Sequence, residues 1–341
     1  MSTSIRVLVT AVGGDLGQAV VKALRLSSQK IECHGSDLNA RGIGSLFADQ
    51  FHPLPKADDP AYVESLDRLC RSSAIQAVIP ANLYEINVLS HLGEQPSLPS
   101  GIPIVVQKGE WIDRYGDKLL CMTALSEQVE VVPFADGNDA IALEQLIRKA
   151  SFPLVVKERR SSGSRGFQII HDRNELQVAI RTAKQPFVQA FIDDSDGEFS
   201  IGVFSNGDDH RFIIFRRHLG FGGTSRYAET AEDQEIKDYV LKIAQIVKAK
   251  GSFNIQVRKS KAGVKLLEIN PRFSSLTAAR AICGFNDAEW SLQLALGLGI
   301  IEKAGPFRQI RFSRFLDEVV DFGQGFEPVD VWNIKKAEKE L

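Results

Sequence analysis

Short apolar runs recur along the first hundred residues and alternate with amphipathic stretches. Residues 5–11 ("IRVLVTA") read as a buried strand, 16–26 as a helix and 32–38 ("ECHGSDL") as a second strand. Residues 75–80 and 103–106 ("PIVV") repeat the pattern with helical stretches between them. This is the strand–helix–strand rhythm of a parallel sheet. "EQPSLPSGIP" at 94–103 is a loop near the end of this first region. After about residue 118 the rhythm changes. "VEVVPFA", "PLVVKE", "FQIIH", "FVQAFI", "EFSIGVFS" and "HRFIIFRRHL" follow one another with few helices, the clearest being 139–150, which predicts antiparallel sheet. From 231 a helix closed by Gly251 leads into two more strands, then into apolar helices around 275–283 and 287–297. The tail "NIKKAEKEL" reads as a solvated end.

Composition narrows the function classes. With 44% hydrophobic and 25% charged residues the 341-residue chain is ordinary globular material, large enough for two or three subdomains. A net charge of −2 argues against a nucleic-acid partner held by spread positive charge. Cys33, Cys70, Cys121 and Cys283 are dispersed, which indicates neither a zinc site nor a disulfide framework and fits a reduced, cytoplasmic location. No apolar run approaches the ~20 residues needed to span a bilayer, so no membrane partner is expected.

Four stretches carry candidate chemistry. In "VTAVGGDLGQAVVKAL", Gly13, Gly14 and Gly17 with Asp37 resemble a dinucleotide turn, but Val12 stands where G-x-G-x-x-G needs glycine, and any tight strand-to-helix turn uses glycines. In "FNIQVRK" and "VKLLEINPR" the alternation puts Asn254, Gln256 and Arg258 on one strand face and Glu268, Asn270 and Arg272 on another. A three-residue "KAG" hairpin with Gly263 left-handed, pairing Ser260 with Val264, sets Gln256 opposite Glu268 and Asn254 opposite Asn270. One carboxylate with neighbouring amides suits Mg²⁺, and Arg272 is placed to clamp a phosphoryl group; a solvated hairpin face has the same alternation, but Pro271 marks a strand ending at a site. Lys157 ends a strand and is followed by Ser161, Ser162, Gly163, Ser164 and Gly166, with Arg160 and Arg165 adding charge, a loop able to fold over phosphates or simply to connect a hairpin. Lys118 sits in the first turn of a helix, where it opposes the helix dipole.

Taken in order, these stretches resemble the ATP-grasp superfamily, and most of all its carbamoyl-phosphate-synthase-like branch of carboxylate–amine ligases, over roughly residues 5–300. The resemblance implies an N-terminal parallel-sheet, Rossmann-like pre-ATP-grasp domain (1–115), an ATP-grasp small subdomain with the phosphate loop (116–195) and a C-terminal subdomain with the metal site (196–341), an α/β and α+β fold with antiparallel sheets in its second part. It implies Lys118 and Lys157 on the ATP phosphates and Gly163 and Gly166 in the loop above them. It implies Gln189, Ala190, Phe191 and Ile192 as the adenine hinge, Glu198 near the ribose, Mg²⁺ (or Mn²⁺) on Gln256, Glu268 and Asn270, and Arg272 and Lys157 as catalytic groups. Ala190 stands where the family often has glutamate, and "SSGSRG" has fewer glycines than usual. A further cation is expected from Arg216, Arg217 or Arg226, with Arg216 favoured over Arg226.

The activity implied is ATP-dependent coupling of a small-molecule carboxylate to an amine through an acyl phosphate. Substrates would be held by loops including "PANLYE" and the segment after Arg272, and a homodimer is allowed. A full carbamoyl-phosphate synthase needs two grasp units where this chain has room for one. An NAD(P)-dependent oxidoreductase using the first glycine turn and a non-catalytic ATP-binding module are the rival readings.

Overall fold

The computed structural model describes residues 4–39, 42–161, 163, 166–193, 195–207, 209–220, 223–299, 307–315, 319–321 and 326–328; the expected solvated tail lies outside them. The first region contains β1 (Ile5–Thr10), α1 (Asp15–Arg25), β2 (Ile31–Asp37), β3 (Gln50–Pro53), α2 (Tyr62–Ser72), β4 (Ala77–Ile79) and α3 (Leu83–Leu89). Its sheet is parallel in the order β3-β2-β1-β4, as the rhythm predicted. The expected strand at 103–106 reduces to a bridge between Val78 and Ile104, and β3 replaces it as fourth strand. β3 escaped notice because "QFHP" has neither alternation nor an apolar run.

The two faces of β1 are covered by different parts of the chain. Leu8 packs with Tyr62, Leu66 and Leu89 of α2 and α3. Val7 and Val9 pack with Val20 and Leu24 of α1, and with Phe273, Ala288 and Leu292 from far downstream. At the carboxyl end of β1 the Glu85 carboxylate, buried, accepts hydrogen bonds from Thr10 Oγ1, from Tyr62 OH at 3.0 Å and from Asn82, whose own side chain caps α3. β1, α2 and α3 are thus tied to one carboxyl.

Next come α4 (Gly109–Tyr115), α5 (Lys118–Leu125), β5 (Phe134–Asp136), α6 (Ala140–Ala150), β6 (Leu154–Glu158), β7 (Gln168–Ile170), α7 (Arg173–Thr182) and β8 (Pro186–Ala190). The last four strands form an antiparallel sheet in the order β5-β8-β6-β7. α7 was not anticipated: it buries only a narrow stripe, Leu176 and Ala179.

The third part holds β9 (Glu198–Asn206), β10 (His210–Leu219), β11 (Ser225–Thr230), α8 (Gln234–Val247), β12 (Lys250–Ser260), β13 (Gly263–Asn270), α9 (Thr277–Ile282), α10 (Asp287–Ala295) and β14 (Arg311–Ser313). Its antiparallel sheet runs β13-β12-β9-β10-β11-β14. α8 closes earlier than the sequence suggested: Lys248 takes the left-handed turn (φ 47°), and Gly251 (φ 99°) lies inside β12. One face of the sheet packs Ile201, Ile214, Phe253, Ile255 and Leu266 against Ile236, Val240 and Ile243 of α8. The other face carries the polar rows.

Burial raises the Glu85 pKa from 4.5 to about 7, against the opposing pull of its hydrogen bonds from Thr10 and Tyr62. The folded state therefore holds a proton that the unfolded chain releases between those values, and stability falls as pH rises through that window. We expect a loss of about 3 kcal/mol from pH 4.5 to 7 attributable to this group. Chemical denaturation of wild type and Glu85→Gln across that range should show this component of the slope in the wild type alone.

Candidate active site

The hairpin of β12 and β13 builds one wall of the site. Gly263 is left-handed (φ 85°) as expected, but the ladder starts one residue earlier than predicted, with Ser260 facing Gly263. A bulge opposite Gln256 and Val257, taking in Leu267, restores the expected pairs: Gln256 faces Glu268 and Asn254 faces Asn270. The two polar rows therefore coincide. They continue across β9 and β10, where Glu198 and Arg217 are paired.

These rows line a cavity of about 330 Å³. Lys118 and Lys157 enter it from the small sheet and α5. Asp117 caps α5 by accepting from the Leu119 and Leu120 N–H groups, and it is gripped by Arg159, at 2.9 Å, just past β6. The Lys118 N–H also donates to the Arg159 carbonyl at 3.0 Å, so the start of α5 is clamped to the end of the strand that carries Lys157. Lys118 Nζ then lies 3.6 Å from Glu268 Oε2 and donates to the Ser161 carbonyl at 3.3 Å. Lys157 Nζ donates to Gln189 Oε1 at 3.1 Å.

Electrostatics follow from crowding in a buried place. Burial works against the Glu268 charge, yet Lys118 and Lys157 overcome it and hold the carboxyl at about 2; Asn270 Nδ2, donating at 2.8 Å, adds to this. Burial also pushes Lys157 down to about 8, partly offset by Glu268. Glu198 lies between Arg217 (2.7 Å) and Arg258 (2.9 Å), which hold it below the usual carboxylate range despite its burial. Arg217 also donates to Gln256 Oε1 at 2.8 Å. Among the described residues, five cations (Lys118, Lys157, Arg217, Arg258, Arg272) and three carboxylates (Asp15, Glu198, Glu268) line the cavity. The surplus is positive.

The structure gathers Lys118, Lys157, Gly163, Gln189, Ala190, Ile192, Glu198, Gln256, Glu268 and Arg272 around this space. Asn270 stands directly behind Glu268, and Phe191 lies under the Arg258 guanidinium, 5.9 Å from the ring centre. Gly166 (φ 73°) turns against Glu158 rather than the cavity. Ser162, Ser164 and Arg165 lie outside the described residues. Of the three candidate arginines Arg217 faces the cavity, whereas Arg216, preferred to Arg226, packs beside Gly197 on the opposite face and Arg226 is exposed. Strand parity decides this, since Arg217 is the residue opposite Glu198.

Ser161 of the expected phosphate loop also lines the cavity, as do Arg258, Asn254 and Asp15, to which the sequence assigned no individual role. Arg258 and Asn254 were legible as members of the polar row; Asp15 was not. In the first glycine turn, the Gly13 N–H donates to Asp37 Oδ2 at 2.8 Å, and a Cβ on Gly17 would meet the Ala11 carbonyl at 2.4 Å. The glycines there serve close packing, and Asp37, the acid of that turn pattern, is bound to the turn itself.

The fold and cavity define an ATP-grasp architecture: a parallel-sheet domain followed by two antiparallel sheets enclosing a cationic cleft. A family model described as "ATP-grasp in the biosynthetic pathway with Ter operon" matches residues 182–315, and one described as "PylC-like, N-terminal domain" matches 7–105. The chain is 28% identical over 273 residues to the carbamoyl phosphate synthase large chain of Methanothermobacter thermautotrophicus, covering 72% of this chain and 26% of the synthase. It is 23% identical to the C-terminal section of the Aquifex aeolicus synthase large chain, covering 61% of this chain and 42% of that section. Its fold is similar to Staphylococcus aureus N5-carboxyaminoimidazole synthetase complexed with ADP (TM-score 0.71, 14% identity, covering 100% of this chain and 87% of that one). It is also similar to a biotin carboxylase from Campylobacter jejuni (TM-score 0.73, 13% identity, covering 90% and 74%). The chain is thus similar to ATP-grasp proteins, and among them to carbamoyl phosphate synthases, over much of its length. It spans about a quarter of the length of the synthase large chain it matches. Among the described residues no helix is long and apolar enough to cross a membrane.

Because Glu268 is a principal negative charge supporting the Lys157 ammonium, Glu268→Gln should lower the Lys157 pKa below about 8. Acylation of Lys157 followed against pH by peptide mass spectrometry should show its midpoint moving to lower pH in the variant.

Proposed function

We propose that this protein is an ATP-dependent ligase that activates a carboxylate as an acyl phosphate and couples it to an amine, releasing ADP and phosphate. The observation that carries this reading is the convergence of Lys118 from α5, Lys157 from β6, Glu268 from β13 and Arg272 from just past its end on one cavity with surplus positive charge. In this reading residues 1–115 supply the substrate side, 116–195 the hinge and phosphate loop, and 196–341 the metal strands.

Lys118 and Lys157 would neutralise the β- and γ-phosphates, with Ser161 and Gly163 lining the same cavity. The N–H groups of Ala190 and Phe191 already donate to the carbonyls of Pro133 and Pro153, which leaves adenine to be read at Ile192. Glu198, expected at the ribose, would act there with its two arginines. Gln256, Glu268 and Asn270 would hold Mg²⁺: they present hard oxygen donors on adjacent rungs, and Glu268 is kept ionised. A single carboxylate suits an ion that completes its shell with phosphate oxygens and water. When bound, the ion supplies charge neutralisation to the transferring phosphoryl group.

The chemistry balances simply. A carboxylate oxygen forms a bond to the γ-phosphorus, the bond from that phosphorus to the β–γ bridging oxygen breaks, and ADP leaves. The acceptor nitrogen then forms a bond to the carbonyl carbon, phosphate leaves, and the nitrogen gives up its proton. Arg272 is placed to stabilise the oxygens of the phosphoryl group in flight. The Gly13–Asp37 hydrogen bond weighs against the oxidoreductase reading, and the full set of charged residues weighs against a decayed, non-catalytic module.

Incubation with ATP, Mg²⁺, pooled carboxylates and hydroxylamine should release ADP and accumulate a hydroxamate, and Glu268→Ala should abolish both. The reading fails if no pool raises ADP release and Glu268→Ala matches wild type. Arg272→Ala should lower kcat by about 10²–10³-fold while leaving the KM for ATP nearly unchanged, as for loss of one transition-state donor. Steady-state kinetics on both variants separates the two roles.

A further inference from the structure

The cavity is graded along the hairpin. A strand advances about 6.6 Å per two residues, so Arg258, Gln256 and Asn254 mark three successive stations on β12. The first adjoins Ile192 and the hinge. The second holds Gln256 opposite Glu268. At the third, Asn254 faces Asn270, and beyond it Arg272, Ser274 and Ser275 share the cavity with Asp15 and Leu16 of α1. This last station lies farthest from the hinge, and the roles given to Asn270 and Arg272 leave Asn254 and Asp15 without one.

Two donors there find no partner among the described residues. Asn254 is 1% exposed; its Oδ1 accepts from Ser200 Oγ at 3.0 Å and from Arg280, which fixes the amide and leaves Nδ2 unpaired. Arg272 donates through Nη1 to the Phe273 carbonyl, while its buried Nε has no partner. Unpaired buried donors are costly, and the oxygens of a bound anion would satisfy these two. Asp15 is the converse. Of the three lining carboxylates, Glu198 is divided between two arginines and Glu268 is shared by Lys118 and Asn270. Asp15 makes no ion pair or hydrogen bond with any described residue, although its charge reaches Arg272 and Arg314.

We propose that the carboxylate substrate is an amino acid, whose carboxylate lies at Arg272 and Asn254 Nδ2 and whose ammonium group pairs with Asp15. The inference rests on the ligase reading above and narrows its substrate class. Pairing with Asp15 also keeps that nitrogen protonated and without a lone pair. The substrate is then activated at its carboxylate without attacking itself, and the acceptor amine comes from a second molecule.

The test measures ADP release and hydroxamate with the full-length protein, ATP, Mg²⁺ and hydroxylamine. One arm offers individual α- and ω-amino acids; the other offers their hydroxy-acid counterparts, simple carboxylates and bicarbonate. At least one amino acid should support turnover where its deaminated counterpart does not. Asp15→Asn and Asp15→Ser should raise the KM for that amino acid about 100-fold, as for truncating one partner of a buried charge pair, with the KM for ATP within about twofold. An ATP-induced rise in melting temperature in both variants shows that they are folded. Bicarbonate or a hydroxy acid working as well as every amino acid, or wild-type KM values in both variants, overturns the proposal and leaves the ligase intact. Silence of every carboxylate, with Glu268→Ala equal to wild type, overturns both.

Discussion

Glu268 must remain an anion in a place that would ordinarily force it to take up a proton. Burial alone raises a carboxyl pKa, and here the reverse is achieved because Lys118 and Lys157 arrive from other elements and Asn270 donates from two residues away. Each lysine depends on the same arrangement: without Glu268, two ammonium groups would face each other with reduced solvation. The Asp117–Arg159 clamp, the backbone bond from Lys118 to Arg159 and the Lys157–Gln189 contact all fix where those charges stand. The cleft is therefore preorganised by its own packing, as transition-state stabilisation requires.

Stiff strands suit this task better than loops. Glu198, Gln256, Glu268 and Arg217 lie on four neighbouring strands, and each is joined to another by a direct contact or by ladder pairing. Behind Asn254, the fully buried pair Arg280–Asp287 (2.9 Å) braces α9 against α10, in space that Gly202 keeps clear; a Cβ there would lie 2.3 Å from Arg280 Nη1. The same helices cover α1 of the first domain through Ala288 and Leu292. Asp15 is thus held beside Arg272 by a hydrophobic contact between segments more than 250 residues apart.

The hairpin register shows how local and non-local constraints combine. The expected loop pairing was one residue out, yet the polar pairs came out as predicted because a bulge near Leu267 absorbed the difference. A slip without that bulge would turn Glu268 onto the apolar face, among Ile255 and Leu266. The need to bury one face therefore fixes what turn chemistry leaves loose.

By itself the sequence determined the features that depend on neighbours along the chain. Period-two alternation put Gln256, Glu268 and Arg272 on polar faces, the glycine turn set the start of α1, and apolar runs gave the parallel and antiparallel regions. Helix ends and weak elements were less legible, because Lys248 adopts a conformation usually left to glycine and "QFHP" joins a sheet without a strand pattern. Only the tertiary structure decided which charges meet. Residues 118, 157, 217 and 268 have no periodic relation, and parity on β10, fixed by pairing with β9, turned Arg217 rather than Arg216 inward. Asp15 looked like part of a cofactor turn, and its place at the far end of the cavity is set by how α1 packs on α9 and α10, which no local pattern encodes.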